Sequence, residues 1–480
     1  MKQFIRVAAA FAILITFHSC ETQDENLVPK NLEINDFVWK GMNLYYLWQP
    51  DVSDLADDRF TNQDGLNSFL GNYSDPEELF NHLRVDPTVD RFSVIFSDYT
   101  VLEGILSGTT GNTGADYGLR YKSGSSTDIF GWVRYILPNS DASTKNIHRG
   151  DLFYAVNGTP LTINNYEQLL GANTVTLNLA DYDNGNITPN GQSVTLTKTN
   201  YSENPVYLAT TIESGSHKIG YLMYNGFYPH YETELNNAIG QFKAQGITDL
   251  VLDLRYNSGG SIATANRLAS MITGQFTGSL FAKEQWNPKA QAYFEDHNPA
   301  DLENRFTNVL GNGAPINTLN LNKLYVLTTK STASASELVI NGLAPYIDIV
   351  QIGDATIGKN VGSITLYDSP DFGKDGRSND HKYAMQPIVL RLVNKNGFGD
   401  YTSGLPADFS LIEDMSNLSI LGTESEPLLA AAIAQITGSG RKLPSPAKNF
   451  NYFKDVKSIV PAGAQMYREH LPQGIGQLLK

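Results

Sequence analysis

The stretch TTKSTASASELVINGLAPYIDIVQIGDATIGKNVG, residues 328–362, is the most informative part of the chain for its fold. It follows the apolar run KLYVLTTK, passes into a helical pattern at Ser334, and then continues into a second strand-like run, IDIVQIGD. Ser334 and Glu337 fit the spacing of a capping box, which predicts that the helix begins at this serine. Strand, helix and strand in this order favour a mainly parallel sheet with both faces covered.

A serine at such a junction is also well placed to act as a nucleophile. The free N–H groups of a helix's first turn carry partial positive charge, so the Ala335 N–H could hold an oxyanion formed when Ser334 attacks a carbonyl. The segment contains no histidine. Lys359 follows the second strand, and the sequence around it is apolar. Burial there would lower the pKa of its amine, as a lysine base requires. The plainer interpretation is a capped helix followed by an exposed turn lysine.

Further strands are predicted on the N-terminal side of this stretch. The runs HKIGYLMYNGF and DLVLDLRYNSGG read as strands, and residues 233–245 have helical periodicity between them. We therefore expect an α/β core over residues 201–440. Residues 441–480 have little apolar periodicity and are expected to form a loosely packed C-terminal extension.

Two smaller regions precede the core. Residues 33–103 show helical patterning, with Ser74 or Asp75 as an N-cap before Pro76, and predict a small helical domain. Residues 104–200 alternate short β-type runs with turns, including a tight turn at Asn157-Gly158 after the run GDLFYAVNG. The fold class is therefore a multidomain α+β protein.

The run GWVRYILPNSDASTKNIHRGDLFYAVNGTPLT in this β region resembles a PDZ domain. The resemblance places a carboxylate-binding loop at Tyr117, Gly118, Leu119 and Arg120. Backbone N–H groups of such a loop hold a peptide's C-terminus while the peptide adds a strand to the sheet. The alternative is a generic small β domain without this function.

The first residues read as an export signal. Lys2 and Arg6 precede an apolar run at residues 7–17, which is too short to span a bilayer, since spanning takes about 20 residues. Cys20, the only cysteine, follows three residues after the run, and the stretch from Phe17 to Cys20 resembles a bacterial lipobox with Phe17 in place of the commoner leucine. This predicts a signal peptide at 1–19, lipidation of Cys20, a tether at 20–32 and a lipid-anchored location in the cell envelope. An ordinary cleaved signal is the alternative.

Composition excludes several other classes. The 480 residues carry a formal net charge of -15 and contain no basic stretch, so nucleic acid is not an expected partner. A single cysteine allows no internal disulfide. The sequence contains no HExxH and no paired cysteine ligands, so we expect neither a metal nor a cofactor. The oligomeric state is left open.

The stretch around Ser334 resembles peptidase family S41, the C-terminal-processing or tail-specific proteases. The family's S-A-S-A-S-E and G-x-x-x-x-G-K-G motifs are matched by TASASE at 332–337 and GDATIGK at 353–359. The resemblance implies a ClpP/crotonase-like core, Ser334 as nucleophile and Lys359 as base. It also implies that a glycine of LVLDLRYNSGG, Gly259 or Gly260, supplies the second oxyanion N–H. The expected partners are protein or peptide substrates recognised by their C-terminal tails.

The chain departs from the family pattern in three places. The family often has a glutamine four residues after the lysine, where this chain has Ser363, a shorter side chain that we expect to orient Lys359 in its place. Asn360 replaces a glycine, and Ile357 replaces an aromatic residue. The alternatives to a serine endopeptidase are a non-catalytic peptide-binding lipoprotein of the envelope and a hydrolase of non-peptide esters that uses the same two residues.

Overall fold

The computed structural model describes residues 28–183, 185–439, 450–472 and 474–478. Cys20 and the predicted signal segment lie outside the described residues. In the part of the chain that is described, no helix combines the length and apolar character needed to cross a membrane.

The N-terminal region is helical, as the sequence predicts, and is fused to the rest of the protein. Its helices are α1 (Glu33–Tyr45), α2 (Gln63–Leu70) and α3 (Pro76–His82). Asp75 is the N-cap of α3 and accepts a hydrogen bond from the Glu77 N–H. Phe37 and Tyr45 of α1 pack against the ring of Phe372, with centroids 6.1 and 5.8 Å away. The region therefore shares one hydrophobic core with the α/β region.

The middle region is an antiparallel sheet linked to the helical region by β1 (Val94–Phe96) and α4 (Tyr99–Leu106). Its elements are β2 (Thr109–Asn112), β3 (Ala115–Tyr121), β4 (Ile129–Ile136), β5 (Leu152–Val156), β6 (Thr159–Pro160), α5 (Tyr166–Gly171), β7 (Thr174–Asp183), β8 (Asn186–Thr197) and β9 (Thr199–Ser202). Asn157 and Gly158 both have positive φ, 52° and 79°, which confirms the tight turn after β5. The sheet and its single helix are consistent with the PDZ-like prediction.

The α/β region follows. Its elements are β10 (Val206–Ser214), β11 (His217–Tyr224), α6 (Glu232–Gln245), β12 (Asp249–Asp253), β13 (Gly260–Ser261), α7 (Ile262–Thr273), β14 (Leu280–Trp286), α8 (Pro288–His297), β15 (Glu303–Arg305), β16 (Lys323–Thr328), α9 (Ala335–Leu343), β17 (Asp348–Gly353), β18 (Val361–Ser363), β19 (Leu366–Tyr367), β20 (Ala384–Gln386), β21 (Ile388–Asn394), β22 (Phe409–Ser410) and α10 (Pro427–Thr437).

The predicted parallel sheet is confirmed. The strand order is β10-β11-β12-β16-β17-β22, and every neighbouring pair after β10–β11 is parallel. Parallel strands need covered faces, and the apolar runs that predicted β11, β12 and β16 are buried here. The carboxyl ends of β12 and β16 lie side by side, which brings the turn at 254–260 next to the start of α9.

A second sheet and the C-terminal segment complete the fold. After residue 450 the chain forms β23 (Tyr452–Asp455), α11 (Val456–Ile459) and β24 (Met466–Tyr467). β23 pairs with β3 of the middle sheet, and β24 lies between β13 and β18 in a sheet ordered β13-β24-β18-β21-β14-β15. The prediction of a loosely packed extension is therefore wrong for the described part of 441–480. Its strands are too short for their periodicity to be recognised in the sequence.

Candidate active site

Ser334 lies in the loop between β16 and α9, at the N-terminus of the helix. Its φ is +66°, a left-handed conformation that costs a non-glycine residue about 1–3 kcal/mol unless its surroundings hold it there. The residue is fully buried. Its Oγ faces the backbone N–H of Glu337 as in a capping box, but it makes no hydrogen bond of normal geometry with the residues that the structure describes. Ser334 is thus a helix cap, as the sequence predicts, and its strained backbone and weakly held hydroxyl also fit a nucleophile.

Glu337 ties the backbone of this loop to the backbone of the lysine loop. Its Oε2 accepts hydrogen bonds from the Ser334 N–H at 2.7 Å and the Lys359 N–H at 2.8 Å. Its Oε1 accepts from the Gly358 N–H at 2.7 Å and from the Thr356 hydroxyl. Burial raises the pKa of Glu337, while these four donors act in the opposite direction. Because all four contacts donate to it, only the ionised carboxylate can accept every one of them. One side chain thus positions both candidate catalytic residues.

Lys359 is fully buried, and its amine contacts only neutral groups. Nζ donates to the backbone oxygen of Ala464 and to Oε1 of Gln465, both at 2.8 Å. The ring centroid of Phe92 lies 4.2 Å from Nζ. Burial lowers the pKa of Lys359 well below its ordinary value, and the field of Asp90 offsets this only in part. The environment therefore favours the neutral amine, the form in which a lysine can act as a base.

The structure holds Ser334 and Lys359 through one carboxylate, but no hydrogen bond joins Ser334 Oγ to Lys359 Nζ. Hydrogen bonds of this kind are often long or misaligned without substrate and shorten in the complex. The sequence prediction that these two residues share a site is consistent with this arrangement.

The sequence predicts that the N–H of Ala335, together with that of Gly259 or Gly260, stabilises the oxyanion. The Ala335 N–H opens α9, where first-turn N–H groups have no helical partner. A Cβ on Gly259 would lie 2.8 Å from Ser334 Oγ and 3.1 Å from the Ala335 nitrogen, so this glycine borders the nucleophile directly. The Gly259 N–H itself donates to Asn257 Oδ1 at 2.9 Å. Gly260 pairs with β24 as part of β13.

Ser363 does not make the predicted hydrogen bond to Lys359. Its Oγ accepts from Gln386 Nε2 at 2.9 Å and lies 3.1 Å from the backbone oxygen of Met466 and 3.2 Å from Gln465 Oε1. The Ser363 hydroxyl is directed toward the C-terminal segment, and the side chain is too short to reach the Lys359 amine. The side chain that contacts the lysine amine is the amide of Gln465.

The predicted carboxylate-binding loop is a strand. Tyr117, Gly118, Leu119 and Arg120 all lie within β3, and Tyr117 and Leu119 are buried. The backbone edge of residues 118–120 pairs antiparallel with residues 452–455 of the same chain. The loop prediction is therefore wrong in its geometry, although the edge does hold an extended segment in the way a peptide ligand would be held.

The sequence did not predict the roles of three residues of the site. Glu337 entered it only as half of a capping box, and its second role needs the lysine loop to be close in space. Phe92 and Gln465 come from distant parts of the chain, and no local pattern marks either of them.

One group of potential metal ligands occurs among the described residues. Glu33, Asp368 and His381 offer ligand atoms within 4.8 Å of one another. His381 and Asp368 already pair with each other at 2.8 Å, and none of the three contacts Ser334 or Lys359. The chemistry of the candidate site depends on Ser334, Lys359 and Glu337.

Comparisons with known proteins show which family models match the chain. The family model Peptidase S41 N-terminal domain matches residues 33–94, and the model Peptidase family S41 matches residues 218–370, which include both Ser334 and Lys359. A carboxyl-terminal-processing protease of Picosynechococcus sp. is 26% identical over 241 residues, which are 49% of this chain and 52% of that protein. The chain spans about half the length of the curated relatives it matches.

Two solved structures extend the comparison to the whole fold. A structure described as an S41 protease from Bacteroides fragilis is 26% identical, with a TM-score of 0.63, and the match covers 84% of this chain and 98% of that one. A photosystem II D1 C-terminal processing protease, 19% identical with a TM-score of 0.51, shares the fold over 85% of this chain and 99% of that one. The fold is that of the S41 proteases. Residues 33–94 and 218–370 match the two domain models of peptidase family S41.

Proposed function

We propose that the protein is a serine endopeptidase that cleaves exported proteins or peptides with Ser334 as nucleophile and Lys359 as base. The observation that carries the proposal is the state of the lysine. Its amine is fully buried and hydrogen-bonded only to neutral oxygens, and Glu337 binds its backbone and that of the serine at once. The name of the Picosynechococcus relative, a carboxyl-terminal-processing protease, supports the substrate class.

The reaction divides into two steps at these side chains. Neutral Lys359 takes the proton of the Ser334 hydroxyl as Oγ bonds to the carbonyl carbon of the scissile peptide, and the Ala335 N–H stabilises the oxyanion. As the C–N bond breaks, the lysine ammonium returns a proton to the leaving amine, and an acyl-enzyme remains. Lys359 then takes a proton from water, whose hydroxyl bonds to the acyl carbon. Collapse of that intermediate restores Ser334 with its proton.

Substrate recruitment through the middle sheet belongs to the same proposal. The edge of β3 is occupied by residues 452–455, and the ring of Phe453 lies between Tyr121 and Tyr166, 5.2 and 5.1 Å away. This is strand addition with an aromatic side chain in a groove. A substrate's C-terminal strand would bind the same edge and would compete with this segment.

Lipid anchoring rests on sequence alone. We propose that Cys20 is acylated after removal of residues 1–19 and that the enzyme acts at the cell envelope. Growth with a labelled fatty acid should label the unaltered chain. The Cys20→Ala variant should carry no label and should move from the membrane to the soluble fraction. Labelling of that variant would contradict the proposal.

The central test is cleavage of an unfolded protein by the chain from residue 20 onward, beside Ser334→Ala and Lys359→Ala. We expect fragments from the unaltered chain alone, and a burst of covalent acyl-enzyme on Ser334 with an ester substrate. If no form cleaves and all three bind C-terminal peptides equally, the protein is a peptide-binding lipoprotein. Cleavage of esters but not of peptides would point to a non-peptide hydrolase.

A further inference from the structure

The C-terminal segment reaches the catalytic lysine from far along the chain and is firmly attached there. β24 lies between β13 and β18, and Ser258 Oγ donates to the backbone oxygen of Gly463 at 2.7 Å. The Arg468 N–H donates to the backbone oxygen of Ser363 at 3.0 Å. Strand pairing and hydrogen bonds therefore hold residues 463–468 in place beside the site.

Gln465 is the side chain that this segment places at the lysine. It is 4% exposed. Its Oε1 accepts from Lys359 Nζ at 2.8 Å and lies 3.2 Å from Ser363 Oγ, while its Nε2 donates to the backbone oxygen of Phe92 at 2.7 Å. A backbone oxygen can only accept, so the amide Nε2 must face Phe92 and Oε1 must face Lys359 Nζ.

We propose that Gln465 is a positioning residue for Lys359, which completes the active site from the C-terminal segment. The inference rests on the proposed function. A neutral amine has two N–H groups and one lone pair. The backbone oxygen of Ala464 and Oε1 of Gln465 accept from both N–H groups, which fixes rotation about the Cε–Nζ bond. The lone pair then has one direction, and the proton from Ser334 has one place to arrive.

The chemistry of an amide suits this task better than that of a carboxylate. A carboxylate at the same position would stabilise the ammonium and raise the pKa of Lys359, since an opposite charge within hydrogen-bond distance favours the charged form. A glutamine accepts the same hydrogen bond without adding charge. The amine is therefore oriented and remains neutral, as its burial already favours.

Gln386 provides a matched control. It is fully buried in the same layer, and its Nε2 donates to Ser363 Oγ at 2.9 Å, yet it makes no hydrogen bond to Lys359. Substitution of Gln386 disturbs the same polar cluster without touching the lysine. Effects specific to the amine should therefore separate from effects of packing.

The experiment compares Gln465→Glu, Gln465→Met and Gln386→Glu with the unaltered chain. The acidic limb of kcat/KM against pH should move upward by about one to three pH units in Gln465→Glu. Gln465→Met should lower kcat by about 10- to 100-fold with KM within twofold, because the amine loses its orientation. Gln386→Glu should move the limb less than Gln465→Glu does, because its carboxylate makes no hydrogen bond to the amine. An unmoved limb in Gln465→Glu, with a melting temperature lowered as in Gln386→Glu, would reduce Gln465 to a packing residue.

A second measurement is independent of turnover. NMR titration of side-chain-labelled lysine reports the pKa of Lys359 directly, with Lys359→Met to assign its signal. The pKa should rise more in Gln465→Glu than in Gln386→Glu, where the carboxylate makes no hydrogen bond to the amine. If the unaltered chain cleaves nothing, the proposed function fails while this titration still tests the contact. If it cleaves and the titration shows no difference, the positioning role alone is overturned.

Discussion

Two buried basic side chains of this protein, Lys359 and Arg255, lie in opposite electrostatic surroundings. Both side chains are fully buried. Arg255 donates to both oxygens of Glu426, at 2.7 and 2.8 Å, and its Nε donates to Asp253 at 2.9 and 3.0 Å. The Lys359 amine has a backbone oxygen and the Gln465 amide as its acceptors, with no carboxylate in hydrogen-bond contact among the described residues.

The difference decides the charge of each group. Burial alone lowers the pKa of Arg255, but Asp253 and Glu426 outweigh it and raise the pKa well above its ordinary value. Burial lowers the pKa of Lys359, and nothing nearby outweighs it. The arginine is therefore a fixed charge that links elements of the fold, whereas the surroundings of the lysine favour the neutral amine that the proposed mechanism needs. The partners of a buried group, more than its burial, indicate its function.

Lys359→Met should have the largest effect of the changes considered. Peptidase activity should fall by about 10⁴-fold, because the base is removed. The folded chain should be as stable as the unaltered one or more stable near neutral pH, since a methionine is buried without deprotonating an amine. Kinetic assays and chemical denaturation of the same preparation measure the two effects. Activity within tenfold of the unaltered chain would contradict the assignment of the base.

The same variant has a pH signature. The folded-state pKa of Lys359 is lowered, so between that pKa and the ordinary value of about 10.4 the unfolded chain binds one more proton than the folded chain. The free energy of unfolding should therefore rise with pH across this window, and the contribution is lost as pH falls toward the folded pKa. Lys359→Met should remove that part of the slope. An unchanged slope would mean that the lysine is charged in the folded protein.

Arg255→Met should have the second-largest effect. In contrast to Lys359→Met, it should lower the stability of the folded chain. It leaves the carboxylates of Asp253 and Glu426 buried without their cation, which costs about 3–5 kcal/mol of stability. Adding Glu426→Leu should restore part of the loss, since one of the stranded charges is then gone. Denaturation curves of the two variants measure this. A single variant as stable as the parent would mean that Arg255 and Lys359 do not differ as described.

The sequence was informative wherever function follows from local pattern. The apolar runs predicted β11, β12, β16 and β17, and the resemblance of the stretch around them to peptidase family S41 assigned roles to Ser334 and Lys359. Gln465 could not be predicted, because it lies 106 residues after the lysine and its segment has strands of four and two residues. Phe92 has the same explanation, as a loop residue brought in by packing of the helical region. Ser363 was assigned the orienting role because its position along the chain was the only guide available.

Glu337→Gln should have an intermediate effect and separates backbone positioning from charge. The amide keeps one acceptor oxygen but directs an NH₂ group at two N–H donors, so about 1–3 kcal/mol of stability should be lost. Activity should fall by about 10- to 100-fold through displacement of Ser334 relative to Lys359. Denaturation and kcat measurements at one pH check both. Full activity would show that the carboxylate does not hold the two loops together.

The smallest expected effect concerns a third buried basic side chain, Arg134, which resembles Arg255 because neighbouring carboxylates raise its pKa. It contacts Asp116 closely and Asp455 of the C-terminal segment at 3.6 Å, and it donates to Ser331 Oγ three residues before the nucleophile. Asp455→Asn should cost about 1 kcal/mol or less, because Asp116 still pairs with the arginine.

The same change should loosen residues 452–455 from the edge of β3. A labelled C-terminal peptide should therefore bind several-fold more tightly to Asp455→Asn than to the parent, as fluorescence anisotropy would measure. Lys454→Gln is the matched control: Lys454 lies in the same strand and donates to the Tyr166 hydroxyl at 2.8 Å, but it does not contact Arg134. Equal gains in the two variants would mean that strand pairing alone retains the segment. A gain in Asp455→Asn alone would mean that the ion pair between Arg134 and Asp455 helps to hold the segment. Arg134 stays charged without this carboxylate, because Asp116 still pairs with it.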